Sequence, residues 1–271
     1  MEKLKKALDR ARDQKNATVT ESRHKKTVSQ SPESVDLTKI TYTSTKSINI
    51  PAEFLREKRV YSGNKNDSIF DQYKVLRTHV LQSLKSNQWN SLAITSPNEN
   101  CGKTLTSINL AISIAREVNQ SVLLVDLDLR RPSILPHFMD EKLPGISDFI
   151  SEDKELSELL INPGLERLVI LPGNESIENS SEMLSSPRVV KLVDELKNRY
   201  PNRIVIFDMP PILSCDDVIA FSPYVDALML VIEEGVTRKD ELKRAYELAS
   251  KSNIVGVVLN KSKETYLAYG Y

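Results

Sequence analysis

The sequence predicts an α/β domain, a doubly wound and mostly parallel sheet covered by helices, over about residues 88–263 of a 271-residue chain. Three observations predict it. Near-continuous Val/Ile/Leu runs of strand length recur along that span, as strands buried on both faces require. Amphipathic helical segments separate them, and several runs end in aspartate beside a Gly-Lys-Thr turn.

The elements follow in order. "MEKLKKALDRARDQK" places Leu4, Ala7, Leu8 and Ala11 at helical spacing, so residues 1–15 read as a basic amphipathic helix. Residues 1–30 hold about twice as many basic as acidic groups. Such a helix either touches a membrane surface or a partner, or is simply solvated. Residues 16–66, rich in Ser, Thr, Lys and Asn over their first two thirds, read as a flexible arm. Residues 67–86 restore a helical stripe through Ile69, Tyr73, Leu76, Val80, Leu81 and Leu84, with Asp67 or Ser68 as cap. The strand "SLAITS" leads into a helix over 103–117, followed by the strands "SVLLVDLD" and "RLVILP". The helix "SPRVVKLVDELKNRY" then feeds "RIVIFD", and "DALMLVIE" precedes a helix over 238–251 and the last strand, "IVGVVLN".

Composition narrows the function. Lys+Arg and Asp+Glu balance at 37 each, so overall charge points to no nucleic-acid partner. Cys101 and Cys215 fit no metal spacing, and a reducing, cytoplasmic setting is the simplest expectation. No apolar run approaches the ~20 residues of a spanning helix, and no secretory signal follows "MEKLKKAL".

"SPNENCGKT" joins a strand to a helix, where backbone N–H groups and the helix N-terminus favour phosphate. Lys103 suits the terminal phosphates, and the Thr104 hydroxyl suits Mg²⁺. The loop is unusual, because Pro97 stands where G-x-x-x-x-G-K-[ST] has its first glycine. Asn100 tolerates the left-handed backbone a glycine would otherwise supply there. Cys101 is either a small residue that fits the loop or, at a helix N-terminus, an oxidation-sensitive thiol. Asp126 and Asp128 end one strand, and period 2 points them the same way; Asp208 ends another. Three carboxylates beside a GKT loop suit a hydrated Mg²⁺ and an oriented attacking hydroxyl. His24, His79 and His137 form no spaced cluster and read as solvated or packed.

These stretches resemble the bacterial tyrosine kinases of exopolysaccharide and capsule assembly, within the MinD/ParA-like deviant-Walker P-loop ATPases. The resemblance runs through nearly the whole chain after residue 67. "SPNENCGKTLTSINLA" is similar to the family's Walker A loop and helix, "VLLVDLDLRRP" to its Walker A′, and "IVIFDMPP" to its Walker B. Asn98, where MinD/ParA relatives carry a lysine, fits the kinases. "ENSSEMLSSPRVVKLVDEL" and "GVVLN" match further family segments, and the opening helix resembles that of stand-alone members encoded with exosortase-type systems. The resemblance implies ATP and Mg²⁺ as cofactors. Asn100, Cys101, Gly102, Lys103, Thr104, Leu105, Arg130 and Asn260 would bind the nucleotide, Asn260 at the adenine. Lys103, Asp126, Asp128 and Asp208 would be catalytic, with Asp126 as base or orienter. Thr104, Asp128 and Asp208 would serve the metal.

"DQYKVLR" resembles the family's ring-assembly helix, with Asp71, Lys74 and Arg77 keeping charge sign but not residue type. The tail over 266–271 places Tyr266, Tyr269 and Tyr271 where the family carries its autophosphorylation cluster. The implied activity is an ATP-dependent tyrosine autokinase acting in trans and regulating polysaccharide polymerisation and export. Its implied partners are further copies in a ring, a transmembrane chain-length or copolymerase activator, and a tyrosine phosphatase, with peripheral placement at the inner membrane face. Two other readings stay open: an ATP-switched scaffold or positioning ATPase without kinase activity, and a nucleotide-dead relative.

Overall fold

The computed structural model describes residues 45–61, 68–152, 154–200 and 202–263. The helix expected over 1–15, most of the arm and the three tail tyrosines lie outside the described residues.

Within them, eight strands form one sheet: β1 (Lys46–Ser47), β2 (Ser91–Thr95), β3 (Ser121–Asp126), β4 (Ile161–Asn162), β5 (Leu168–Leu171), β6 (Arg203–Asp208), β7 (Ala227–Glu233) and β8 (Ile254–Asn260). Their order is β1-β4-β5-β3-β6-β2-β7-β8, parallel throughout except for the β4–β5 pair. The helices are α1 (Ala52–Glu57), α2 (Ser68–Asn87), α3 (Lys103–Ala115), α4 (Ile146–Glu152), α5 (Leu156–Leu159), α6 (Ser180–Leu184), α7 (Pro187–Asn198), α8 (Asp217–Phe221) and α9 (Lys239–Leu248).

Strand alternation builds two cores, one on each side of the sheet. Leu92, Ile94, Val122, Leu124, Ile204 and Ile206 face α2 and α3, meeting Val80, Leu84, Ile108 and Ile112. Ala93, Leu123, Val125, Val205 and Phe207 face the other way, onto Val189, Leu192, Val193 and Leu196 of α7. Each fully buried Leu, Ile or Phe contributes about 1.5–3 kcal/mol, which is why such strands carry almost no polar residue before their ends. Helix α7 starts where Pro187 occupies the first turn and the Ser186 hydroxyl accepts from Val189 N at 3.4 Å.

Four expectations need correction. The flexible arm does not extend through residues 46–60. Ile48 N donates to Asn162 O at 2.8 Å, Leu55 and Val60 are buried, and the Asn109 side chain ties Arg59 O and Tyr61 N to α3. These side chains lacked a strand or helix period of useful length, so their docking was invisible in the sequence. On α2, Phe70 is buried and Ile69 is exposed, reversing the stripe's first turn. Strand β3 stops at Asp126, so Asp128 lies in the following turn. The helices predicted over 103–117 and 238–251 end at Ala115 and Leu248.

Candidate active site

The site forms at the carboxyl ends of three adjacent strands, β3, β6 and β2. Asp126 is the register partner of Asp208, and Asp208 pairs in turn with Ile94, one residue before the end of β2. Parallel pairing thus delivers two carboxylates and the phosphate-type loop to one edge of the sheet, the place where open α/β sheets bind ligands.

The loop is held in a shape few residues adopt. Asn100 has φ 61° and Gly102 φ 87°, both left-handed. A Cβ on Gly102 would overlap the Asn260 amide, so glycine is required there for space as well as conformation. Asn260 Nδ2 donates to Cys101 O at 2.8 Å. Cys101 is buried and is not among the residues that line the cavity.

Lys103 opens α3 and donates to Asp128 Oδ2 at 2.7 Å, with Asp208 Oδ2 at 3.7 Å. Thr104 Oγ1 donates to Asp208 Oδ2 at 2.6 Å, and Ser107 Oγ to Asp208 Oδ1 at 3.0 Å. The Ser133 hydroxyl sits 3.0 Å from Thr104 Oγ1. Burial raises the Asp208 carboxyl above its ordinary value, and Lys103 opposes that rise. Lys103 titrates above its ordinary value: burial would lower it, but Asp208 and Asp128 outweigh burial.

Asp126 lies deeper than Asp128. It is fully buried and is not among the residues that line the cavity. Its Oδ2 accepts from the backbone N–H groups of Ser133 and Ile134 at 2.8 and 2.9 Å, and its Oδ1 is buried without a partner. Burial first, then the charge of Asp208, pushes its carboxyl up to about 7. The two backbone bonds tie Asp126 to the turn that carries Ser133. Of the three expected carboxylates only Asp128 lines the cavity; Asp208, like Asp126, is fully buried and reaches it through Thr104 and Lys103.

The cavity has a volume of about 520 Å³, within the range of small-molecule sites. Of the expected nucleotide residues, Asn100, Gly102, Lys103, Thr104, Leu105 and Arg130 line it. Arg130 Nε is braced by Ser180 Oγ at 2.9 Å and Asp217 Oδ1 at 3.3 Å. Sequence reasoning missed Ser133 and Ser107, as well as His137, whose Nδ1 lies 2.9 Å from Ser133 O. It also missed the Arg131–Glu99 ion pair at 2.6 Å between the two loops. Only the place of Ser107 three residues after Thr104 on the same helix hinted at it; the others required the fold.

Away from the site, Asp71 and Lys74 pair with each other at 2.7 Å on the exposed face of α2. Arg77 turns inward instead, binding Glu117 at 2.8 Å and Ser113 O at 3.1 Å. Among the described residues no helix is long and apolar enough to cross a membrane.

Comparison with known proteins agrees with this geometry. Residues 91–235 match the family model described as AAA domain. The tyrosine-protein kinase YwqD of Bacillus subtilis is 31% identical over 204 residues, covering 74% of this chain and 85% of the relative. The kinase domain of the Escherichia coli tyrosine kinase ETK superposes with a TM-score of 0.67 at 28% identity, covering 82% of this chain and 92% of that one. The septum site-determining protein MinD of Pyrococcus horikoshii shares the fold, with a TM-score of 0.54 at 21% identity over 65% and 72% of the two chains. With the GKT loop, the paired strand-end carboxylates and these relatives in agreement, the chain belongs to the bacterial tyrosine-protein kinase family, built on a P-loop AAA-type domain.

Proposed function

We propose that this chain is an ATP-dependent tyrosine autokinase that phosphorylates Tyr266, Tyr269 and Tyr271 of a neighbouring copy and thereby regulates capsule or exopolysaccharide assembly. The observation that carries the reading is the convergence of Lys103, Thr104, Asp128 and Asp208 under the left-handed Asn100–Gly102 loop.

The residues fit Mg²⁺ and a nucleotide. Among the described residues no three His, Cys, Asp or Glu side chains cluster as a metal cage. Mg²⁺ uses one or two carboxylates together with phosphate and water, and Thr104, Asp128 and Asp208 offer such a set. Bound Mg·ATP supplies the transferable phosphoryl group and neutralises its charge.

The chain's own groups do the rest. The loop amides and the N-terminus of α3 would hold the phosphates, and Lys103, paired with Asp128 at 2.7 Å, would supply the cation for them. A tyrosine hydroxyl titrates near 10 and is a poor nucleophile at neutral pH, so it needs orientation more than deprotonation. Asp128, facing the cavity, orients it; Asp126 holds the Ser133 turn behind. Arg130 and Leu105, which line the cavity, would border the nucleotide, and Asn260, bonded to Cys101 O, would serve it from behind the loop.

Resemblance to the family supports a ring of copies, with Asp71 and Lys74 as exposed contact residues. Arg77 contributes to the subunit's own packing. The same resemblance supports a transmembrane copolymerase activator that brings the protein to the inner membrane face, and a phosphatase that resets it. Replacing all three tail tyrosines by Phe tests the reading. An autokinase loses its phosphotyrosine and still hydrolyses ATP; unchanged phosphate content in the triple variant contradicts the tail assignment.

A further inference from the structure

We infer that Lys261, which no motif assigns, is a positioning residue that holds the phosphate-binding loop in its ligand-ready shape. The inference rests on the nucleotide reading of that loop and adds to it the residue that compensates for the loop's missing glycines.

Asn100 occupies the left-handed region at φ 61°, which asparagine tolerates better than most non-glycine residues and which outside contacts can lock in place. The locking groups are at the end of β8. Lys261 Nζ donates to Asn100 O at 2.8 Å, and Asn260 Nδ2 donates to Cys101 O at 2.8 Å. Two successive loop carbonyls are thus held by two successive residues from the other end of the chain. With its carbonyl oxygens turned outward to these donors, the loop is free to direct its N–H groups to an anion.

Lys261 is itself constrained. Its backbone is left-handed at φ 56°, and its ammonium is shared with Glu233 Oε2 at 2.8 Å. Glu234 N donates to Asn260 O at 3.0 Å, and Lys263 N donates to Glu234 Oε2 at 2.6 Å. The β7–α9 turn thereby fixes the strand end that reaches the loop. A lysine kept half-exposed, with 45% of its side chain accessible, adds little to the core, so its geometry serves the loop.

The test titrates fluorescently labelled Mg·ADP into the full chain and its variants K261M and K261R, with exposed Lys243→Met as control. Hydrogen exchange over residues 96–104 and thermal midpoints are measured without nucleotide. K261M is expected to weaken binding about tenfold, the worth of one charge-assisted hydrogen bond. It should speed exchange in the loop and leave the thermal midpoint unchanged. K261R, which keeps the charged donor, should recover most of the affinity. K261M binding within about twofold of wild type, with loop exchange unaltered, overturns the inference, as does an affinity loss that K261R shares in full. A wild-type chain that binds no Mg·ADP contradicts the nucleotide reading instead, and the exchange data then still decide whether Lys261 shapes the loop.

Discussion

Asp208 and Asp226 lie at opposite ends of the same sheet, each beside a lysine, and they are perturbed in opposite directions. At the amino ends of the strands, Asp226 accepts from Asn90 N, Ser91 N, Ser91 Oγ and Lys197 Nζ at 2.7–3.0 Å. Burial raises its carboxyl, but those donors win and hold it below the ordinary value. At the carboxyl ends, Asp208 and Asp126 are both fully buried, each is raised, and Asp126 Oδ1 has no donor at all. The first pair rivets β2, β7 and α7 together. The second crowds like charges around one lysine, an arrangement that carries a cost in stability and marks a place where a cationic ligand completes the charge balance.

The sharpest way to break this comparison is at the lysines. Lys103→Met should lower phosphotyrosine formation by about 10²–10³-fold or more, as removal of a transition-state donor does. Its measure is anti-phosphotyrosine signal against time. Asp226→Asn should leave that activity intact and lower stability by about 2 kcal/mol, read from urea midpoints, because several donors lose a charged acceptor. If the two variants exchange phenotypes, the two ends of the sheet have been misassigned.

Titration sharpens the contrast with opposite signs. The Asp126 carboxyl is raised from 3.8 to about 7, so the folded chain holds the proton more tightly. Stability tied to it is present below pH 4 and is lost as pH climbs toward 7. Asp126→Asn removes that loss, so relative to wild type it should gain about 1–2 kcal/mol between pH 5 and pH 8. Asp226 is lowered, and its contribution is present above 3.8 and lost in acid, so the deficit of Asp226→Asn should vanish there. Parallel pH curves for either variant would contradict the electrostatic account. The smallest effect belongs to the exposed Asp71–Lys74 pair, where Asp71→Asn should change monomer stability by less than about 0.5 kcal/mol. Any larger effect should appear in the mass of the assembled species, measured by light scattering.

Much of this arrangement was legible in the sequence. "VLLVD" and "RIVIFD" announce buried strands because parallel sheets covered on both faces leave no room for polar residues until the strand ends. Asp126, Asp128, Asp208 and the GKT turn therefore stood out as groups at strand ends. The two-residue strands β1 and β4 did not, since Lys46–Ser47 and Ile161–Asn162 are too short to show a period. The different placement of Asp126 and Asp128, one buried and one at the cavity, was also hidden. It depends on β3 ending at Asp126, after which the chain turns back so that Ser133 and Ile134 reach its carboxylate. His137, Ser133 and the Glu99–Arg131 pair join loops far apart in the chain, and only tertiary packing brings them to one cavity.

The most direct test of the central claim is incubation of the full chain with Mg·ATP, followed by intact mass and anti-phosphotyrosine detection, with Lys103→Met in parallel and a cytosolic activator fragment added to both. The account predicts mass gains in phosphate steps on tyrosine in the wild type and none in the variant. Nucleotide binding without any phosphotyrosine, even with the activator present, would contradict it and leave an ATP-switched scaffold in its place.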